Sequence, residues 1–431
     1  MLTSYFPINH HARPSGASLA LVVLVALSGY AFSATVAVGT CTGLVHFATI
    51  QLAVSSVPAG TTIKVCPGTY PEQVVINKKL TLEGVASATQ DAVVILPPAG
   101  GVVQNTVSVD PDANPSYLAI AAQLLVQNTA GPVSISNLTV DGTGNGIPGC
   151  GLDLQGILFQ NASGTVNHVA VRNQIPGGTL LGCQTGVAIY VQTAAGLTSV
   201  VTVENSSVHN YNKNGITGND TGTTLNVTGN YVQGAGALPD GLDAQNGIQL
   251  AFGAVGTIKG NTVIDNSYVG PTYGAADILL YDVAEDSVYV ESNIVGNSQY
   301  PIGLETDTPG TLGDGVSVTS NKIFGTSTWD AIDVCTSYNK VTGNTIFNSA
   351  ESGVHLDASC GAGNNNAVST NTILESACAG ILVDAGTSGN TTGTETYHTV
   401  PFPASSTGSC PFVAGPTLAK AKTTSKFSPA R

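Results

Sequence analysis

The sequence is poor in charge. Only 9% of its 431 residues are Asp, Glu, Lys or Arg, with 13 basic residues against 27 acidic ones. Arg13 lies near the start, and Lys420, Lys422, Lys426 and Arg431 lie near the end, which leaves eight basic residues for the body. With a formal net charge of −14 and no basic stripe, the chain is expected to bind neither nucleic acid nor an anionic membrane, since phosphate recognition needs clustered Lys and Arg. Highly acidic polysaccharide would be repelled too unless cations intervene, whereas neutral sugars would not. Helical domains of this size carry more Lys, Glu and Arg, so the scarcity also argues against a helical fold. Methionine is reduced to Met1 and tryptophan to Trp329. If Met1 leaves with a leader, the remaining chain holds no oxidisable thioether, which suits an oxidising compartment.

What the sequence has in quantity is Gly, 51 residues, together with Asn, Thr and Ser. That is the composition of an all-β chain with many tight turns. Leu19 to Leu27 is an apolar run (LALVVLVAL), too short to span a bilayer. His10, His11 and Arg13 precede it and the small residues around Ser33 follow it. Residues 1–33 therefore read as a secretory signal, and the protein is expected to be secreted, with no membrane span after cleavage. Residues 34–398 read as one repetitive domain. Residues 399–431, where the periodicity stops, read as a partly disordered extension.

The repeat decides the fold. Segments of the form small residue, apolar, x, apolar begin at Gly156, Gly186, Gly215, Gly247, Asp277, Pro301, Ala331, Gly353 and Gly380, at intervals of 22 to 32 residues. A second register, apolar-x-apolar, gap, Asn, x, Val or Ile, places its Asn at 205, 230, 261, 293, 321, 344 and 371. Each repeat thus holds about three short strands separated by Gly and Asn. Such strands fit a single-stranded right-handed parallel β-helix, a solenoid of about 11 coils stacked ~4.8 Å apart. The repeated Asn is expected at a tight turn, in a left-handed conformation and in an amide ladder. The eight cysteines, taken in sequence order, pair as Cys41–Cys66, Cys150–Cys183, Cys335–Cys360 and Cys378–Cys410. Their separations of 25, 33, 25 and 32 residues are each about one coil, a rise that a disulfide accepts. This is one of 105 possible connectivities.

The stretch Phe47 to Gly84 (FATIQLAVSSVPAGTTIKVCPGTYPEQVVINKKLTLEG) resembles the first coil of pectin-lyase-fold proteins, a superfamily that includes pectin methylesterases, polysaccharide lyases and NosD-type proteins. The resemblance implies a capping helix over Ile50 to Val57 and first strands at Ile63 to Val65, Val74 to Ile76 and Leu80 to Leu82. It implies an extracellular polysaccharide as partner; the chain is expected to work as a monomer. The chain lacks the Gly-x-Val-Asp-Phe and Leu-Gly-Arg-Pro-Trp segments of the esterases and the Asn-Thr-Asp and Gly-His-Gly signatures of polygalacturonases.

Outward positions of equivalent strands form columns along the tube. Reading them off the repeat gathers Glu305, Asp333, His355, Asp357 and Asp384 on one face, with Tyr281 a coil below Glu305 and Trp329 nearby. These five are the candidate catalytic residues, and Tyr281 and Trp329 the candidate substrate-binding ones. Paired carboxyls ~5 Å apart serve retaining hydrolysis and ~6.5–9.5 Å apart inverting hydrolysis. Asp357 with Asp384 suits the first and Asp333 with Asp357 the second, and His355 could shuttle a proton. A lyase would instead need a base and a uronate-neutralising cation. No cofactor is required; Ca²⁺ would suit the carboxylates. Two functions stay open: a polysaccharide hydrolase or lyase working through this face, and a non-catalytic surface, structural or adhesive solenoid. Arg172 and Lys213 are expected to be isolated, His168 and His209 to be solvated, and Asp141 to Gly146 to form a Gly-rich turn.

Overall fold

The computed structural model describes residues 34–406 except 86–89, 111–118, 272 and 327. The expected leader, Cys410 and most of the C-terminal extension lie outside the described residues. The described chain is all-β apart from the helix Ile50–Ser56 and short 3-10 turns. Each turn of the winding lays down three strands. Ser199–Glu204, Ser207–Tyr211 and Asn214–Asn219 form one coil, and they pair in parallel with Thr223–Thr228, Tyr231–Leu238 and Asn246–Ala251 of the next. Three stacks result, which we call the first, second and third faces in chain order. The third face runs from Val74–Ile76 to Phe402–Ser406 through twelve parallel strands among the described residues, so the stack continues past residue 398. The fold is a right-handed parallel β-helix, the hand that parallel crossovers take. No helix among the described residues is long and apolar enough to cross a membrane.

The alternation of the sequence sorts inside from outside. Ile189, Ile216, Ile248, Ile278, Ile302 and Ile332 are direct partners of one another along the third face and are all fully buried. Each contributes roughly 1.5–3 kcal/mol of burial. The helix closes the N-terminal end of this column. Its Ile50, Ala53 and Val54 are buried, Thr49 caps it by accepting from Leu52 N, and the Glu72 carboxylate accepts from Ile50 N and Gln51 N at 2.8 and 2.9 Å.

The asparagine ladder forms at the corner between the first and second faces. Asn230, Asn261, Asn293, Asn321, Asn344 and Asn371 are buried, and each of the first five donates Nδ2 to the next residue's Oδ1 at 2.9–3.0 Å. The expected left-handed conformation belongs to the residue before each of them: Gly229, Gly260, Ser292, Ser320, Gly343 and Thr370, all at φ between 57° and 68°. The left-handed residue turns the corner and the Asn that follows drops its amide inward. Asn205 is the exception. It is itself left-handed and exposed, and Ser206 takes its place beneath Asn230.

Three of the cysteine pairs form as spaced, Cys41–Cys66, Cys150–Cys183 and Cys335–Cys360, with Cα separations of 5.6–5.9 Å. Cys378 is also disulfide-bonded. Contrary to expectation, neither Arg172 nor Lys213 is isolated. Arg172 binds Asp141 through Nε at 2.8 Å and Asp91 through Nη1 at 2.9 Å, bridging coils in a way that linear spacing cannot show. Lys213 is fully buried, donating to Asp243 at 3.3 Å and to Ala244 O at 2.6 Å. Burial lowers its pKa and raises that of Asp243. His168 is exposed as expected, whereas His209 is half-buried. The stretch from Asp141 is a turn, closed by Thr143 N and Oγ1 donating to Asp141 Oδ1.

The outer side of the third face is covered rather than bare. Residues 103–109 lie across several coils, held by side-chain amides. Gln73 Nε2 donates to Val103 O, Asn105 Nδ2 to Ala122 O, and Gln160 Nε2 to Val107 O, while Gln192 Oε1 accepts from Val109 N, all at 2.7–3.1 Å.

Candidate functional site

The register places the candidate residues in the columns read from the sequence. Leu279 pairs with Gly303, Gly303 with Asp333, Asp333 with His355 and His355 with Leu382. The neighbouring column runs from Tyr281 to Glu305, then continues through Cys335 and Asp357 to Asp384, as the backbone bonds Cys335 N to Leu304 O, Asp357 N to Val334 O and Asp384 N to Leu356 O require. These side chains point away from the tube, yet most are sealed from water. Glu305 and Asp333 are fully buried and Asp357 is 2% exposed. Loops fold back over the face. Thr306 Oγ1, Asp307 N and Thr308 Oγ1 all donate to Asp282 Oδ1 one coil below, and the Cys335–Cys360 bridge ties two further coils together. Only His355 and Asp384 keep appreciable accessible side-chain surface, 12% and 22%.

His355 is the centre of the arrangement. Its Nδ1 lies 3.0 Å from Asp330 Oδ2 and 3.9 Å from Asp333 Oδ1, and its Nε2 lies 3.2 Å from Asp384 Oδ1. Burial alone would lower its pKa, but the charge and hydrogen bond of Asp330, then Asp384 and Asp333, outweigh it and hold the ring well above the ordinary imidazole value. The protonated ring is therefore favoured, held between carboxylates of successive coils. Asp330 is fixed in turn by Ser352, whose N and Oγ both donate to Asp330 Oδ1. Asp384 Oδ2 accepts from Ala358 N at 3.2 Å, and Asp357 Oδ1 accepts from Ser359 N at 2.6 Å.

Asp330 is the residue that the column reading left out of the cluster. It sits two residues ahead of its strand Ile332–Val334, outside the apolar-x-apolar frame that defined the columns. The available signal was its offset from Ala331, which matches that of Tyr300 and Ser352 from the strand residues of adjoining coils.

Three groups of side chains hold donor atoms within 4.8 Å of one another and could coordinate a metal ion: Asp330, Asp333 and His355; His355, Asp357 and Asp384; and Glu305 with Cys335 and Cys360. In the third group both sulfurs are in the disulfide, which removes them as thiolate ligands. A ring nitrogen in the other two suits a transition metal better than Ca²⁺, which takes oxygen donors.

The aromatic candidates form the wall below the acids. Tyr281 is 3% exposed and packs edge-on against Phe252, centroids 5.7 Å apart. Trp329 is half-buried and stacks on Tyr300, centroids 6.5 Å apart and planes 11° apart. Trp329 immediately precedes Asp330, so the stacked pair borders the His355 cluster.

No family model matches the chain, and no curated relative does. Solved structures match it across most of its length. The chain is similar to a lacto-N-biosidase from Eubacterium ramulus at TM-score 0.57 and 10% identity, covering 85% of this chain and 68% of that one. It is similar to the catalytic domain of an α-1,3-glucanase at TM-score 0.50 and 13% identity, covering 86% and 68%. The A-module of a mannuronan C-5 epimerase from Azotobacter vinelandii matches at TM-score 0.50 and 14% identity, over 83% and 92%. At these identities the likeness is one of fold. The β-helix resembles that of carbohydrate-active proteins.

Proposed function

We propose that the protein is secreted, that it binds extracellular polysaccharide over the coils from Tyr300 to Asp384, and that it cleaves the chain there by acid–base chemistry. The observation that carries the reading is His355 held between Asp330 and Asp384, with Asp384 on its more exposed side. The relatives in fold named above act on or are bound to sugars by their own descriptions, and the disulfides support an oxidising compartment. Donor oxygens of Asp357 and Asp384 lie within 4.8 Å of each other, in keeping with the ~5 Å spacing of a retaining hydrolase. Asp384, the accessible carboxyl, attacks the anomeric carbon while His355 beside it gives its proton to the leaving glycosidic oxygen; His355 then takes a proton from the water that releases the sugar from Asp384. Trp329, on its stack with Tyr300, offers a face for a sugar ring.

The test is a panel of neutral and uronic polysaccharides assayed for new reducing ends and for unsaturated products. Asp384→Ala is expected to abolish product formation and His355→Ala to reduce it at least a hundredfold. Turnover that persists with Asp357 and Asp384 both replaced by Ala sinks the assignment. The burial of Glu305, Asp333 and Asp357 favours a second reading, a non-catalytic solenoid that only holds glycan. Retention on a polysaccharide column with no product from any substrate would select it.

A further inference from the structure

A pocket in the coils before those of the acidic cluster has the build of a sugar subsite. It lies where the second face turns toward the third. In most coils this corner is turned by a left-handed polar residue: Asn173, Asn210, Asp265, Asn297 and Asn348 have φ between 54° and 64°. Between Asn210 and Asp265 the series is broken. The strand Tyr231–Leu238 carries a bulge, its register against Thr262–Tyr268 shifting between Gln233 and Gly236. Gly234 and Ala235 stand there opposite the single Asp265 of the next coil, and Gly236 resumes the pairing with Asn266. Gly236 is left-handed at φ 84° and opens to free space, while Ala235 N is anchored to Gln245 Oε1 at 2.7 Å. Bulges of this kind re-aim side chains beside binding sites.

The bulge borders an open pocket of ~260 Å³ lined by His209, Asn210, Gln233, Asp265 and the Gly234–Gly236 segment. We propose that this cavity binds one pyranose unit of a neutral glycan, at a site separate from the acidic face. The lining supplies planar polar groups suited to neighbouring hydroxyls. Gln233 is preset by its neighbours: its Nε2 donates to Asp265 Oδ2 at 2.8 Å, and its Oε1 accepts from Tyr231 Oη at 3.0 Å. Tyr231 is 40% exposed, an aromatic ring free to stack on a sugar beside the polar pocket. Burial and then Arg172 lower the pKa of His209, which disfavours an imidazolium for an acidic sugar. Asp265 would repel one. A second site of this kind would tether the protein to a long polymer and raise its effective concentration at the acidic face; binding at this pocket does not depend on catalysis there.

The experiment is titration of the full protein with cellohexaose, maltohexaose, mannohexaose, xylohexaose and, as the anionic contrast, hexagalacturonate, followed by calorimetry. At least one neutral hexamer is expected to bind. Tyr231→Ala and Asp265→Ala should each weaken that binding tenfold or more, and Ala235→Phe, which fills the space, should abolish it. His355→Ala should leave the calorimetric signal of this site unchanged. Thermal melts of the three cavity variants within a few degrees of the wild type confirm that the coil is intact. If Tyr231→Ala and Asp265→Ala bind as tightly as the wild type, or if no neutral hexamer binds, the proposal fails. If hexagalacturonate competes at this cavity as well as the neutral sugar, the assigned ligand class is wrong.

Discussion

His355 ties the chemistry of the third face to its stability. An imidazole whose folded pKa stands above its unfolded value of 6.5 stabilises the native state fully at pH below the unfolded value. That contribution declines as pH rises and is gone once pH passes the folded value. The titratable groups facing it are Asp330, Asp333, Asp357 and Asp384. The wild type is therefore expected to lose stability as pH is raised from 6 into the alkaline range. His355→Gln should flatten that dependence and cost ~3 kcal/mol at pH 6, the scale of removing one partner from a buried charge pair. Urea unfolding at a series of pH values measures both; a variant with the same slope against pH as the wild type would contradict the clamp. The column positions of His355 and Asp384 could be read from the repeat because strand side chains alternate with period two. Their burial could not, because it is made by loops whose paths are set by contacts such as Thr306 with Asp282, far outside the repeat's own frame. The same limit hid Arg172's partners: Asp91 is 81 residues away in sequence.

At the level of the element, the ladder shows what a periodic Asn specifies. The repeat of Asn at 230, 261, 293, 321, 344 and 371 fixes the ladder, because an amide is both donor and acceptor and can satisfy a copy of itself one coil away. The left-handed residue was misplaced by one position because Asn tolerates φ > 0 and is the obvious choice for it. In this corner the φ > 0 position is filled by Gly, Ser or Thr instead, and only the inward drop of the amide tells the two positions apart. Asn293 illustrates the cost of losing one rung. Its Oδ1 accepts from Asn261 N and Nδ2, and its Nδ2 donates to Ile258 O and Asn321 Oδ1, all between 2.9 and 3.0 Å. Asn293→Ala strands buried donors and acceptors on both neighbours and should cost ~3 kcal/mol. Asn293→Asp keeps the acceptor but loses the donor and adds a buried charge, so it should be no better than Ala. Both are read from the urea midpoint, and an Ala variant within ~0.5 kcal/mol of the wild type would mean that the ladder is ornamental to stability.

At the scale of the molecule, the described coils form a one-dimensional stack in which each touches chiefly the coils next to it, so damage should stay where it is made. The disulfides sharpen that expectation because each described one joins adjacent coils and closes only 25 or 33 residues. A loop of that size contributes ~3.5 kcal/mol in the chain-entropy account. Cys335–Cys360 is the bridge within the acidic column, with Cys360 Sγ 3.1 Å from Glu305 Oε2. Replacing both cysteines by Ala should loosen the coils around Glu305, Asp357 and the His355 clamp, while coils from Ala119–Gln127 to Asn246–Ala251 keep their protection. Hydrogen exchange resolved along the chain distinguishes the outcomes. Faster exchange confined to roughly residues 300–385 fits a stack of nearest-neighbour interfaces. A uniform rise in exchange from end to end would instead mean that the tube unfolds as a single cooperative unit, and the site's rigidity would then depend equally on the N-terminal cap at Ile50–Ser56 and on the bridge beside it.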